Sequence, residues 1–216
     1  MTPEEFRAET GVSRETLARL VTYAALLAKW QRTINLVAAS TLPDLWRRHM
    51  LDSAQLAGLA QGEVWVDLGS GAGFPGMVLA IMGVGAVHLI ESDQRKAAFL
   101  AEVAARTGTE VAIHAVRVEA LTRAQIGPSG ADVVTARALA PLPKLLELAV
   151  SLAGAGCNFL FPFGRADADA ALTESRKSWR IDAEQIPSRT EPDSVILRLR
   201  GVAPWKQPTT KARVRR

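Results

Sequence analysis

The sequence contains one cysteine, one tyrosine and three histidines in 216 residues. A single cysteine cannot form an intrachain disulfide, and sparse cysteine is typical of proteins that work in a reducing compartment. No apolar run approaches the roughly 20 residues that a membrane-spanning helix needs. The first six residues, MTPEEF, have neither the basic nor the apolar region of a signal peptide. These absences predict a cytoplasmic protein that does not enter a membrane.

Positive charge is concentrated at the C-terminus. The last sixteen residues carry five positive charges and no negative one, at Lys206, Lys211, Arg213, Arg215 and Arg216. Because the whole chain has a net charge of only +4, the remainder is slightly acidic. A flexible basic tail over 202–216 is therefore predicted. Such a tail either attracts a polyanion such as RNA or keeps a disordered terminus in solution, and the sequence favours neither.

The segment 64–76, VWVDLGSGAGFPG, is the most informative part of the chain. An apolar run ends at Asp67, and Gly69, Gly71 and Gly73 then alternate before an apolar stretch of helical length. Glycine has no Cβ, so the chain can turn sharply and a ligand can lie against the backbone. The following helix offers unpaired N–H groups and the positive end of its dipole. This strand–turn–helix pattern predicts a site for a nucleotide-like cofactor.

Two classes of cofactor suit this turn. Residues 71–76 match the dinucleotide pattern G-x-G-x-x-G, so an NAD-type oxidoreductase is one candidate. The carboxylate of Asp67, however, would repel a pyrophosphate and attract the sulfonium and ammonium groups of S-adenosylmethionine. Glu91, at the end of the next strand, suits a ribose diol in either class. We therefore expect S-adenosylmethionine, bound by Asp67, Glu91 and the glycines of the turn.

Two further strand ends belong to the same crevice. Val118 and Glu119 follow a strand at 110–115, and in methyltransferases such a turn lies near the adenine edge. Arg137 follows a strand at 132–135 and is placed to hold a carboxylate or a guanine base. Ligands of open α/β sheets bind beyond the carboxyl ends of the strands, so these residues converge although they are distant in sequence.

The order of elements predicts an α/β fold. From residue 61 onward strands and helices alternate, which indicates a parallel sheet with helices on both faces. Two further segments, 179–181 and 194–199, are predicted as a half-exposed antiparallel pair of edge strands. Upstream, one helix starts after Ser13 and a second runs from Pro43 through Leu51. We expect a helical N-terminal extension over 1–60 and one domain over 61–201.

Several acceptor chemistries lack their usual residues. No N-P-P-Y tetrapeptide is present to hold an exocyclic amine, and Cys157 lies inside an apolar strand rather than in a nucleophile's position. No metal cluster is predicted. A ring nitrogen such as guanine N7 needs only positioning and cationic contacts. A basic group before the glycine-rich turn could provide those contacts, and it consists of Lys29, Arg32, Arg47 and Arg48.

These segments resemble the RsmG (GidB) family. The resemblance is carried in order and spacing by Asn35-Leu36, RHMLDS at 48–53, DLGSGAGFPG at 67–76, RVE at 117–119 and ARA at 136–138. It implies a class I S-adenosylmethionine-dependent methyltransferase fold, which is Rossmann-like and has a mostly parallel seven-stranded sheet with a helical N-terminal extension. It also implies methyl transfer to guanine N7 in the decoding-region loop of 16S ribosomal RNA.

The resemblance assigns roles to individual residues. Cofactor contacts would come from Gly69, Phe74, Val118, Glu119 and Arg137, in addition to the residues inferred above. The mouth of the site would be formed by His49, Asp52 and Ser53. We expect Arg137 and His49 to be the catalytic residues, although a lone histidine on a helix is more often structural. The predicted RNA contacts are Arg47, Arg48 and Arg165.

One position departs from the family pattern. The family often has lysine before a glycine at the end of the fifth strand, whereas this chain has Phe163 before Gly164. Either Arg165 replaces the missing cation, or Phe163 stacks on a base. The expected partner is 16S rRNA, in the small subunit or an assembly intermediate, and the protein is expected to act as a monomer. A nicotinamide oxidoreductase and a non-catalytic RNA-binding protein remain as alternatives.

Overall fold

The computed structural model describes residues 1–205, so the basic side chains of the predicted tail lie outside the described residues. The strands are β1 Val64–Leu68, β2 Ala86–Ile90, β3 Ala112–His114, β4 Ala131–Ala136, β5 Ala153–Gly164, β6 Trp179–Pro187 and β7 Ser194–Pro204. The α-helices are α1 Pro3–Thr10, α2 Arg14–Trp30, α3 Asp52–Ala54, α4 Gly76–Met82, α5 Gln94–Thr107, α6 Arg123–Ile126, α7 Leu142–Leu152 and α8 Arg165–Ser175. None of the helices described is long and apolar enough to cross a membrane.

All seven strands form one sheet in the order β3-β2-β1-β4-β5-β7-β6. β1 pairs in parallel with β2 on one side and with β4 on the other, and Asp67 lies opposite Leu89 and Thr135. The strand order therefore reverses between β1 and β4, which is where ligands bind on sheets of this kind. The reversal brings the ends of β1 and β4 together and places Arg137 beside the glycine-rich turn.

The predicted edge position of the last two strands is wrong in one respect. β6 and β7 pair antiparallel as expected, but β7 lies inside the sheet between β5 and β6. Ile196 packs into the hydrophobic cluster on one face of the sheet, while Val195 and Leu197 pack into the cluster on the other. Of these two strands, therefore, only β6 lies at an edge of the sheet, and both faces of β7 are covered.

The N-terminal helices share a core with the sheet. Phe6, Leu20 and Tyr23 are fully buried and belong to one cluster with Trp65 of β1 and Phe99 of α5. On the other face, α6, α7 and α8 cover a second cluster. The division at residue 60 stays a prediction, but the residues before it are packed into the main core. At the other end, β7 continues to Pro204, past the predicted boundary at 201.

The segment before β1 is not the regular helix that was predicted. It consists of a 3-10 helix at Ala39–Asp44, a π-helix at Trp46–Leu51, the short α3 and a 3-10 helix at Gln55–Gly58. Pro43 lies within the first of these and cannot donate a backbone hydrogen bond. His49, Met50 and Leu51 are consecutive and all buried, so this segment is enclosed on more than one side. π-Helical turns are frequent at functional sites.

The start of α2 agrees with the sequence, whereas α1 was missed. The hydroxyl of Ser13 accepts a hydrogen bond from the amide of Thr16 at 3.0 Å, as expected of an N-cap. α1 also has a capping signal, because Thr2 and Glu5 form a reciprocal capping box ahead of its single buried side chain, Phe6.

A substitution in the turn tests how closely α4 is packed on the sheet. A Cβ at Gly76 would lie 2.4 Å from Leu89 Cδ2 and 2.6 Å from Asp67 Cβ. We expect Gly76→Ala to lower the free energy of unfolding by about 1–3 kcal/mol through overpacking. Urea denaturation would measure it, with Gly58→Ala as the control because a Cβ there meets nothing within 4 Å. Equal midpoints for the two variants would contradict this packing.

Candidate functional site

The glycine-rich turn has the backbone that the sequence predicts. Gly69, Gly71 and Gly73 have φ values of +65°, +56° and +97°, in the region that favours glycine. At Gly73 a Cβ would also lie 2.7 Å from the hydroxyl of Tyr23. Gly73 is therefore required for packing beneath the turn. Gly69 and Gly71 line a cavity, where a Cβ at Gly69 would lie 2.7 Å from Leu139 Cδ1 and one at Gly71 would meet only the carbonyl of Gly69 at 3.8 Å.

Asp67 lies beneath this turn, away from the cavity. Its carboxylate accepts hydrogen bonds from the hydroxyl of Thr135 at 2.8 Å and from the amide of Gly76 at 3.2 Å. The residue is 1% exposed, and burial raises the pKa of its carboxyl to about 6. The expected direct contact between Asp67 and a bound cation stays a prediction, and in this structure the carboxylate is engaged by Thr135 and Gly76. The side chain ties β1 to β4 and to the start of α4.

An aromatic stack supports the turn from the N-terminal side. The ring of Phe74 is 3% exposed and lies between Tyr23 and His49, at centroid distances of 5.4 and 4.8 Å. The hydroxyl of Tyr23 donates a hydrogen bond to the carbonyl of Ala72. Phe74 thus packs between two rings, and its predicted contact with the cofactor stays a prediction. The role of Tyr23 was not predicted, although the single tyrosine of the sequence, on the apolar face of α2, is a usable signal.

Six of the predicted cofactor residues line one cavity of about 410 Å³, which we call the turn cavity. They are Gly69, Gly71, Glu91, Val118, Glu119 and Arg137. The carboxylate of Glu91 accepts hydrogen bonds from the amides of Gly71 at 2.8 Å and Asp93 at 2.7 Å, which fix its orientation. A carboxylate has about four acceptor positions, so Glu91 keeps capacity for a ligand. Val116 and Leu139, which are partly exposed, form the apolar part of the wall of the turn cavity.

A second cavity, of about 450 Å³, lies on the other side of Arg137, and we call it the loop cavity. It is lined by His49 and Asp52 from the irregular segment, by Phe163 at the end of β5 and by Thr190 in the β6–β7 loop. Arg137 lines both cavities. The β6–β7 loop was not recognised in the sequence, because its role depends on contacts with residues more than 130 positions away.

Arg137 is held by His49. Its Nη2 donates a hydrogen bond to Nδ1 of His49 at 2.9 Å, and Nε2 of the same ring lies 2.8 Å from the hydroxyl of Thr41. This pattern assigns the proton to Nε2. Burial, together with the positive charges of Arg137 and Arg48, lowers the pKa of His49 to about 4. His49 is therefore neutral near pH 7 and acts as an acceptor that orients Arg137.

The three arginines predicted to contact RNA converge on the β6–β7 loop. Arg47 donates to the carbonyl of Thr190 at 3.2 Å, Arg48 pairs with Glu191 at 2.9 Å, and Arg165 donates to the carbonyl of Pro192 at 3.2 Å. All three arginines are exposed. They form one basic surface beside the loop cavity, of which Arg48 is a lining residue.

Other predicted residues lie away from this surface. Lys29 lines a separate cavity with Trp30 and Arg95, so the basic group predicted at 29–48 is divided. Ser53 is 2% exposed and donates to the carbonyl of His49, so it faces inward rather than into the mouth of the site.

Burial raises the pKa of the Cys157 thiol to about 12, which leaves it unreactive.

Comparison with known proteins identifies the family. A model of the GidB family, described as rRNA small subunit methyltransferase G, matches residues 16–196. A relative from Paramagnetospirillum magneticum named "Ribosomal RNA small subunit methyltransferase G" is 55% identical over 94% of this chain and 97% of its own length. A relative of the same name from Rhodospirillum centenum is 57% identical over 93% of this chain and 91% of its own length.

Solved structures share the fold at low identity. TYW2 of P. horikoshii, in complex with MeSAdo, superposes with a TM-score of 0.54 at 18% identity, over 71% of this chain and 62% of that one. A SAM-dependent methyltransferase from Aquifex aeolicus gives 0.53 at 15% identity, over 73% of this chain and 93% of that one. These matches and the strand order confirm the class I methyltransferase fold. The chain belongs to the rRNA small subunit methyltransferase G (GidB) family.

Proposed function

We propose that this protein transfers the methyl group of S-adenosylmethionine to N7 of a guanine in 16S rRNA. The oxidoreductase interpretation of the glycine pattern is wrong, because the family is one of methyltransferases. The observation that carries the proposal is the pair of adjacent cavities with Arg137 in the wall of both. Such an arrangement gives the donor and the acceptor base separate places that meet at one side chain.

The turn cavity fits the donor. Glu91 has acceptor capacity for a ribose diol, and the backbone at Gly71 is open to a ligand because no Cβ covers it. Val118 and Glu119 line the far end, where the adenine would lie. When bound, S-adenosylmethionine supplies an electrophilic methyl group on a sulfonium.

The loop cavity fits an acceptor that needs no base. The guanine N7 lone pair forms the new N–CH₃ bond while the carbon–sulfur bond breaks and its electron pair stays on sulfur, so no proton moves. Both ring nitrogens of His49 are already engaged by Arg137 and Thr41. The chain's contribution is therefore positioning, which can supply most of the rate for an in-line displacement. Arg137 is placed to hold O6 of the guanine and leave the neighbouring N7 free.

The exposed surface of Arg47, Arg48 and Arg165 would contact the phosphates around the target base. Each of these arginines contacts the β6–β7 loop, which forms part of the wall of the loop cavity. Binding of RNA would therefore also affect the position of that wall. We further infer that the protein acts as a monomer in the cytoplasm, on the small subunit or one of its assembly intermediates.

The reaction can be tested on small subunits isolated from a strain that lacks this gene. We expect the purified protein to form 7-methylguanosine in 16S rRNA, as measured by nucleoside mass spectrometry. Arg137→Ala should lower kcat/KM about 100-fold or more, as expected for loss of an oriented cationic donor. Arg14→Ala, at an exposed position in α2, serves as the control. Methylation at another atom, or full activity of the Arg137 variant, would refute the proposal.

The cofactor assignment predicts that substitutions of two acidic residues differ in their effect on S-adenosylmethionine binding. Glu91→Ala should weaken S-adenosylmethionine binding about tenfold or more, because a hydrogen bond to a charged group is lost. Asp67→Asn should stay within about threefold of the wild type, since an amide can still accept from Gly76 while its NH₂ group donates to Thr135. Isothermal titration calorimetry would measure both affinities. The assignment fails if the Asp67 variant loses binding and the Glu91 variant keeps it.

Phe163 is expected to form a stacking wall for the target base. Phe163→Ala should lower kcat/KM for small subunits about tenfold, whereas Phe163→Trp should retain it, because base–aromatic stacking contributes about 1–3 kcal/mol. Phe163→Leu keeps apolar bulk without a ring and should behave like the alanine variant. Affinity for S-adenosylmethionine should not change in any of the three. Activity that follows side-chain volume instead of aromaticity would argue against stacking.

A further inference from the structure

Asp52 is fixed in the wall of the loop cavity by contacts to one of its two carboxylate oxygens. Oδ1 accepts hydrogen bonds from the hydroxyl of Thr190 at 2.8 Å and from the side-chain amide of Gln55 at 2.9 Å. One contact is local and the other comes from the β6–β7 loop, and together they orient the carboxylate. The side chain is 16% exposed, so it is largely withdrawn from solvent but still lines the cavity.

The other oxygen, Oδ2, is left without a hydrogen bond from any residue in 1–205. The nearest cation is Arg137, whose Nη1 lies 3.6 Å away, beyond hydrogen-bonding distance. Oδ2 is accessible from the loop cavity and keeps acceptor capacity that a ligand there can fill. Oδ2 therefore favours an N–H group from whatever occupies the loop cavity.

Arg137 and Asp52 together form a donor next to an acceptor. Guanine presents the complementary order on its Watson–Crick edge, with O6 as acceptor beside N1–H as donor. Adenine presents the reverse, an amino donor beside the N1 lone pair, and would meet both protein groups with the wrong polarity. Enzymes that act on bases read this edge by hydrogen bonds inside a pocket.

The positions of the two residues also follow the outline of guanine. Along its perimeter N7 comes first, then O6 and then N1. Arg137 lies in the wall shared by the turn cavity and the loop cavity, whereas Asp52 lines the loop cavity alone. A base with N7 toward the turn cavity therefore meets Arg137 at O6 and Asp52 at N1. Phe163 then lies against the face of that base.

We propose that Asp52 selects guanine by accepting the N1–H hydrogen bond at Oδ2. This inference rests on the proposed methyl transfer to guanine and names the residue that chooses the base. Thr190 and Gln55 are positioning residues in this scheme, because they hold Oδ1 and so direct Oδ2 toward the base. Both Thr190 and Asp52 line the cavity, which joins the β6–β7 loop to base choice.

Asp52→Asn gives a specific expectation. Thr190 and Gln55 both donate to Oδ1, so they should keep the oxygen of the asparagine at that position. The NH₂ group then replaces Oδ2 and presents a donor, which repels guanine N1–H and matches the lone pair of adenine N1. The variant should therefore change preference between bases, and should do more than lower activity.

The experiment uses small subunits reconstituted with 16S transcripts that carry guanine, inosine or adenine at the methylated position, once that position has been mapped with the wild type. Dissociation constants are measured with enzyme loaded with S-adenosylhomocysteine. We expect the wild type to bind the guanine and inosine subunits within about threefold of each other, because both bases keep O6 and N1–H. It should bind the adenine subunit at least about tenfold more weakly, as one well-placed pair discriminates by about 1–3 kcal/mol.

For Asp52→Asn the preference for guanine over adenine should fall below about twofold or reverse, while affinity for S-adenosylhomocysteine stays unchanged. Asp169→Asn, an exposed aspartate on α8, is the matched control and should keep the wild-type preference. The proposal is overturned if the wild type binds guanine and adenine subunits equally, or if the Asp52 variant weakens both to the same degree. Failure of the proposed function is distinguishable, because the wild type would then form no 7-methylguanosine.

Discussion

A buried carboxylate at the end of the central strand holds the site together. Asp67 joins β1 to β4 through Thr135 and to α4 through Gly76, at the point where the strand order reverses. Because the two halves of the sheet diverge there, a crevice must open above it. Burial raises the pKa of Asp67 to about 6, so keeping it ionised near neutral pH has a cost that its two hydrogen bonds offset only in part. The turn, the two cavities and Arg137 all depend on this junction.

The N-terminal helices are part of the site, because they continue this support on the other side of the turn. Tyr23 packs on Phe74, Phe74 packs on His49, and His49 receives a hydrogen bond from Arg137. The guanidinium carbon of Arg137 also lies 5.3 Å from the centroid of the Phe74 ring. A continuous series of contacts thus connects the core around α2 to the side chain between the cavities. A methyltransferase sheet without this extension would lack His49 and Asp52, the two side chains that hold the Arg137 guanidinium by a hydrogen bond and an ion pair.

Sequence analysis predicted the parts of the site that depend on position along a strand. Glu91, Val118 and Arg137 follow strand ends, and the carboxyl ends of the parallel strands share one edge of the sheet, so their convergence could be inferred. The direction in which a side chain points could not be inferred in the same way. Asp67 and Phe74 are adjacent to the turn in sequence but point beneath it, because a three-dimensional packing partner decides which way each faces. The link between Asp52 and Thr190 spans 138 positions and leaves no local pattern, so the β6–β7 loop was missed.

The charges of the site suit a reaction that moves no proton. Methyl transfer to a ring nitrogen shifts a positive charge from sulfur to the purine, so the total charge between the cavities does not change during the step. In the cavity walls, groups that titrate near neutral pH would add nothing and would make the charge next to the substrates depend on pH. His49 is kept neutral by burial and by Arg137 and Arg48, with its pKa at about 4. Its fixed dipole orients Arg137, and Asp52 balances the guanidinium at 3.6 Å. Preorganised groups of this kind need no rearrangement as charge moves. Accordingly, the proposed specificity and the proposed chemistry depend on the same arrangement, in which Arg137 is held on one side by a neutral ring and faces a carboxylate on the other.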